Sequence, residues 1–180
     1  MRLFIAIEIP EDVKDYISGI QGKIGYEGIR LVKKEQMHLT LKFLGGVQPE
    51  KAEKVKEWLK KIKFEPFSMF LDSMGVFPNE NYIRVVWIGL KPEDEILRLQ
   101  KDIDEKLKKL FKKEKGFKAH ITLARVKFIE DKKGFVEKLK KIKIEKKRID
   151  VNNFKLIRSN LSPKGAVYEN VEEFGALNKI

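Results

Sequence analysis

The 180-residue sequence predicts an α+β fold of two pseudo-symmetric α/β lobes, whose mainly antiparallel sheets flank a central cleft. Three observations predict it. Segments with the two-residue alternation of strands take turns with segments whose apolar residues recur every three or four places, as on a helix buried along one side. The order strand, helix, strand, helix, strand is run through twice. Four landmarks of the first run return 82 residues later: Arg2 as Arg84, Pro10 as Pro92, His38 as His120 and Thr40 as Thr122. A constant offset that links a strand, a helix start and a second strand indicates an internal duplication. No stretch rich in Gly, Ser or Pro separates the copies, so residues 1–180 are expected to form a single bilobal domain.

Taken in order, residues 2–8, RLFIAIE, read as a strand; the run is too short, and broken too early by Glu8, for a signal peptide. PED at 10–12 opens a helix, with Val13, Tyr16, Ile17, Ile20 and Ile24 on one side. The chain turns near Gly25 and Gly28, and the extended stretch IRLV leads to HLTLKFLG at 38–45. Beyond Gly45 and Gly46, Pro49 starts a second helix along whose stripe lie Ala52, Val55, Trp58, Leu59 and Ile62. FSMFLDSMGVF, 67–77, is a strand closed by the turn PNEN. In the second copy IRVVWIGL, 83–90, is the strand, and Pro92, Glu93 and Asp94 open a long helix bearing Ile96, Leu99, Ile103, Leu107 and Leu110. HITLARVK, 120–127, precedes a helix with Phe135, Val136, Leu139 and Ile142, and extended segments near 149–158 and 166–171 follow, joined by the turn SPKG. The lysine runs at 108–118 and 138–148 read as solvated helix faces and ends.

Composition narrows the function. With no cysteine there is no disulfide framework, no thiolate nucleophile and no Cys-bearing zinc site. No apolar run reaches the roughly 20 residues of a membrane helix, so a cytoplasmic protein is expected. Lys and Arg number 39 against 27 Asp and Glu, a net charge of +12, which suits a polyanion such as nucleic acid. The same richness in Lys and Glu also suits a protein from a very hot environment.

The chain has two histidines and two threonines, and each His precedes a Thr by two places. Random placement would give that double coincidence on the order of once in ten thousand arrangements. On a strand, side chains alternate faces, so His38, Thr40 and Lys42 are expected on one face and Leu39, Leu41 and Phe43 on the other; His120 and Thr122 likewise share a face. Two imidazoles facing each other can take one proton and give another near neutrality. That suits in-line displacement at phosphorus, with the threonine hydroxyls donating to the nonbridging oxygens and Lys42 neutralising charge. A zinc site would need a third ligand, and no Asp or Glu stands at a ligand spacing from either motif. The P-loop, GxGxxG and GxSxG patterns are absent.

With these residues the chain resembles the two-histidine phosphoesterases, and among them the RNA 2′,3′-cyclic phosphodiesterases also called 2′-5′ RNA ligases. The resemblance runs through FIAIEIPEDV, MHLTLKFLG, GVFPN followed by RVVWIGL, HITLARVK and IRSNLSPKGAVY, nearly the whole length. It implies hydrolysis of an RNA 2′,3′-cyclic phosphate to a 2′-phosphate without metal or other cofactor, and joining of such an end to a 5′-hydroxyl without ATP. It also implies His38 and His120 as the acid and base, with His38 as acid to the leaving O3′ and His120 as base to water in one order and the reverse order equally open by pseudo-symmetry, and Thr40 and Thr122 as phosphate ligands. Arg125 is expected to contact phosphate or RNA, which requires the strand to end or bulge before it. The expected partners are RNAs with 2′,3′-cyclic phosphate ends, tRNA fragments among them, bound by a monomer. Family members often carry an aromatic residue where Leu31 follows Arg30. Stacking surfaces are therefore sought at Phe77, Tyr82, Trp87 and Tyr168. Two other functions stay open: a noncatalytic module that binds RNA or phosphate, and a phosphodiesterase for small cyclic nucleotides.

Overall fold

A computed structural model describes residues 1–25, 27–163 and 165–178. The first copy supplies strand β1 (Arg2–Glu8), helix α1 (Glu11–Ile24), the short strand β2 (Ile29–Leu31), β3 (His38–Gly46), α2 (Pro49–Leu59) and β4 (Phe67–Asn79). The second supplies β5 (Tyr82–Lys91), α3 (Asp94–Leu107), β6 (His120–Val126), α4 (Lys132–Lys141), β7 (Arg148–Val151), β8 (Asn153–Ser162) and β9 (Gly165–Gly175). Of the expected turn SPKG, Lys164 lies outside the described residues.

The helices form where the apolar spacing places them. On α1, Val13, Ile17, Ile20 and Ile24 are buried, and on α3 so are Ile96, Leu99, Ile103 and Leu107. Each such side chain contributes about 1.5–3 kcal/mol when it leaves water. Acidic residues in the first turn, Glu11 and Asp12 on α1 and Asp94 and Glu95 on α3, complement the helix dipoles. Asp131 caps α4 by accepting a hydrogen bond from the Gly134 amide at 2.8 Å.

The strands form one curled antiparallel sheet in the order β7-β4-β5-β6-β3-β1-β8-β9, with β2 pairing to β6 beside that path. The lobes exchange elements. β4, the last strand of the first copy, pairs with β5 and β7 of the second, and β8 returns to pair with β1. The extended stretch expected at 149–158 is therefore two strands, and at Asn152 the chain passes from the sheet of one lobe to that of the other. Helices cross as well, α1 packing near β6 and α3 near β3.

Among the described residues β3 and β6, where the two half-sheets meet, pair at a single bridge, Leu39 to Ile121. Those residues are equivalent under the 82-residue offset. Equivalent residues that face each other across antiparallel strands lie where a twofold axis must pass. One face of the sheet carries the helices and the main core; the other carries only a small cluster, Phe4, Ala6 and Ile157, with Tyr168 against it. That second face is the cleft.

Candidate active site

The axis through Leu39 and Ile121 sets the geometry of the site. Antiparallel register places His38 across from Thr122 and Thr40 across from His120. The two imidazoles and two hydroxyls thus surround one point on the cleft face, each histidine beside the other copy's threonine. Among the described residues neither threonine hydroxyl has a hydrogen-bond partner, which leaves both free to donate.

Each imidazole is held from behind. His120 Nδ1 bonds the Lys118 carbonyl at 2.7 Å, and the His38 ring bonds the backbone of Gln36, also two residues earlier. An Nδ1–H donated to a carbonyl leaves Nε2 to face the cleft. Aromatic walls complete the positioning. The His38 ring stacks on Phe4, with centroids 4.8 Å apart, and Tyr168 meets it edge-on at 5.3 Å. His120 meets Phe77 edge-on at 4.9 Å and lies 6.3 Å from Trp87. Lys118 Nζ sits 4.6 Å from the centre of the Trp87 ring.

The two histidines differ electrostatically. Burial pushes the His38 ring down to about 4; its bond to the Gln36 backbone opposes this, and the charges of Lys14 and His120 add to it. His120 is also lowered, chiefly by burial, with the Lys118 backbone opposing. Burial pushes the Tyr168 phenol up, and the nearby Arg125 charge opposes that rise.

Strict alternation fails after each His-x-Thr, and for the same reason. Ala6 pairs with Thr40 and Ile5 with Lys42, so Leu41 is an extra residue in β3. Trp87 pairs with Thr122 and Val86 with Ala124, so Leu123 is an extra residue in β6. A bulge of this kind reverses the alternation beyond it. Leu123 and Ala124 are both fully buried, and Arg125 emerges on the face of His120 and Thr122. This is the bulge that a cleft-facing Arg125 requires.

In β3 the same device corrects the expectation for Lys42. Leu41 and Lys42 both turn to the core face, and Phe43 takes the cleft face, 68% exposed. Lys42 is 2% exposed, and its Nζ donates to Asp104 Oδ1 at 2.5 Å and to the Lys112 carbonyl at 2.7 Å. It cannot reach a phosphate between the histidines. Of the aromatic candidates, Phe77, Trp87 and Tyr168 line the histidines, whereas Tyr82 is taken up by Arg84, whose guanidinium lies 4.4 Å from its ring centre.

Sequence reasoning missed Phe4 and Phe43 as cleft residues, and two glutamines that hold the frame. Gln21, buried on α1, donates from Nε2 to the carbonyls of Val32 at 2.7 Å and of the bulged Leu123 at 2.8 Å. Gln36 donates from Nε2 to the Ala166 carbonyl at 2.6 Å, tying the β8–β9 hairpin to the segment before His38. Among the described residues no three His, Cys, Asp or Glu side chains gather closely enough to hold a metal ion. No helix among them is long and apolar enough to cross a membrane.

Comparison with known proteins gives consistent relatives. A family model described as "LigT like Phosphoesterase" matches residues 7–87 and again 88–168. A Methanocaldococcus jannaschii protein named RNA 2′,3′-cyclic phosphodiesterase is 41% identical over 176 residues, covering 97% of this chain and 100% of its own. A protein of the same name from Archaeoglobus fulgidus is 38% identical over 177 residues, covering 97% and 99%. Among solved structures, the crystal structure of TT0787 of Thermus thermophilus superposes with a TM-score of 0.81 at 31% identity, covering 97% of both chains.

Proposed function

The chain belongs to the LigT-like phosphoesterase family, and from that premise we propose that it is an RNA 2′,3′-cyclic phosphodiesterase working through His38 and His120 without a metal. The observation that carries the proposal is the Leu39–Ile121 bridge, which gathers two His-x-Thr pairs around one point. Thr40 and Thr122 donate to the nonbridging oxygens of the cyclic phosphate, which in a site cleared of bulk water is worth more than in solution. Arg125 adds a fixed positive charge to the cleft, and the exposed Phe43 ring offers a surface for a base.

In the reaction a water oxygen forms a bond to phosphorus as one imidazole takes its proton. The bond from phosphorus to O3′ breaks, the other imidazole gives O3′ a proton, and a 2′-phosphate remains. The more deeply buried His38 is the harder of the two to protonate, so it enters the cycle neutral and serves as base. His120 keeps more of its basicity and serves as acid. This is the second of the two orders that the pseudo-symmetry leaves open. The same pair would serve a ribose 5′-hydroxyl in place of water, which is the joining reaction.

The test is turnover of a short RNA ending in 2′,3′-cyclic phosphate, with chelator present, by the intact protein, His38→Ala and His120→Ala. Formation of a 2′-phosphate end is expected, with each variant slower by roughly 10²–10⁴-fold. Activity abolished by chelator, or retained by either variant, refutes the mechanism. A nucleoside phosphodiester with a 4-nitrophenyl leaving group separates the roles, because an activated leaving group needs no acid. His120→Ala should recover on it and His38→Ala should not.

A further inference from the structure

Arg30 and Arg125 stand directly opposite each other in the pairing of β2 with β6. Residues so paired leave the same face of a sheet, and beyond the bulge at Leu123 that face is the cleft. Their strands run roughly 4.8 Å apart, so two exposed side chains of like charge leave neighbouring backbones on one face. Elsewhere the chain ties Lys14, Lys42, Lys155 and Arg148 to carboxylates. Among the described residues neither the Arg30 nor the Arg125 guanidinium has an ion pair or a hydrogen bond.

The backbones that carry the pair are held in place. The Val32 amide donates to the Leu123 carbonyl at 2.9 Å, the Lys127 amide to the Gly28 carbonyl at 2.8 Å, and Gln21 clamps the Val32 and Leu123 carbonyls from behind. Two exposed guanidiniums that rise side by side from fixed backbones, with no carboxylate between them, suit an anion that both can grip. Arg125 lies three residues past Thr122, roughly 10 Å along the strand, so this anion need not be the one held by the threonines.

We propose that Arg30 and Arg125 form a second phosphate subsite, which binds the phosphodiester immediately 5′ to the terminal nucleotide of an RNA end. The proposal rests on the cyclic phosphodiesterase reading and extends it. It makes Arg30 the residue by which the enzyme prefers an RNA end to a mononucleotide. Its guanidinium touches no reacting atom; it anchors the chain one nucleotide away.

The experiment compares adenosine 2′,3′-cyclic phosphate with the dinucleotide CpA bearing the same cyclic end, at low ionic strength, for the intact protein, Arg30→Gln and Arg30→Lys. The ratio of kcat/KM for dinucleotide over mononucleotide should fall about tenfold in Arg30→Gln, mainly through KM, and less in Arg30→Lys. A dinucleotide whose linkage is an uncharged methylphosphonate should cost the intact protein the same factor and leave Arg30→Gln indifferent. An equal loss on both natural substrates overturns the proposal, since that is what a structural role produces. So does a methylphosphonate processed as fast as the phosphodiester, or a defect confined to joining, which would assign the subsite to the incoming strand. If the intact protein turns over neither natural substrate, it is the phosphodiesterase reading that fails.

Discussion

Replacing Lys42 by Met tests where the bulge in β3 sends that side chain. The substitution keeps the apolar stem and removes the ammonium. It leaves the Asp104 carboxylate, itself only 5% exposed, with Gln100 Nε2 at 2.8 Å and the Glu114 amide at 2.9 Å as donors, and strips the Lys112 carbonyl of its partner. Burial works against the charge of Asp104, and in the intact protein the bonds from Lys42, Gln100 and Glu114 hold its carboxyl below the usual range; the variant loses the first of these and keeps the burial. Removing one partner of a buried pair costs about 3–5 kcal/mol, a large part of the roughly 5–15 kcal/mol that holds a domain together. Guanidinium chloride unfolding at pH 7 should show that loss for Lys42→Met. Lys42→Met with Asp104→Leu should regain most of it, because no charge is then left buried alone. Well below the unfolding transition, kcat/KM should stay within about threefold of the parent, a change smaller than the loss of one phosphate hydrogen bond. Unchanged stability with a rate loss as large as that of Thr40→Ala would return Lys42 to the phosphate and refute the assignment.

Gly75 lies under Trp87, and a Cβ there would stand 2.2 Å from the indole Cζ2. Gly75→Ala should therefore cost about 1–3 kcal/mol in a denaturant titration and, by lifting the indole toward His120, lower kcat/KM; a variant as stable and active as the parent would contradict the packing. The depressed His38 gives a pH signature. Its neutral form contributes stability that is fully present above the unfolded value of 6.5 and lost as pH falls through about 4, roughly 3 kcal/mol in all. His38→Gln should flatten the fall in unfolding free energy between those limits, and parallel curves for the two proteins would show that the ring is not buried neutral.

How much of this was legible in the sequence follows from what kind of interaction specified each part. The helices and most strands were, because Val13, Ile17, Ile20 and Ile24, or Ile96, Leu99, Ile103 and Leu107, carry their burial in their spacing. The exchange of β4 and β8 between lobes was not. Which neighbour a strand pairs with depends on partners far along the chain, and nothing local in FSMFLDSMGVF names them. The same holds for Gln21, whose partner Leu123 lies 102 residues away. The bulges fall between these cases. In HLTLKF the alternation looks unbroken, so Lys42 was read onto the wrong face. In HITLARV it is visibly broken: Leu123, Ala124 and Val126 are apolar around a lone Arg125. Carrying that pattern back by 82 residues turns Lys42 inward and Phe43 outward.

The differences between the copies matter as much as their likeness. A twofold site with identical halves would accept the cyclic phosphate in two equivalent orientations, so neither His-x-Thr would be committed to attacking water or to leaving ribose. Here the equivalent positions beyond the bulges are Phe43 and Arg125, an apolar ring on one side and a cation on the other. Beside the threonines, Ala6 faces Thr40 where Trp87 faces Thr122. Behind the imidazoles, Phe4 and Tyr168 bury His38 more deeply than Phe77 and Trp87 bury His120, and the two rings part in basicity accordingly. Each of these differences lies on the cleft face, outside the main core under the helices. In the proposed mechanism, duplication supplies two proton carriers at one phosphorus, and the divergence of these few flanking residues supplies the direction in which the protons move.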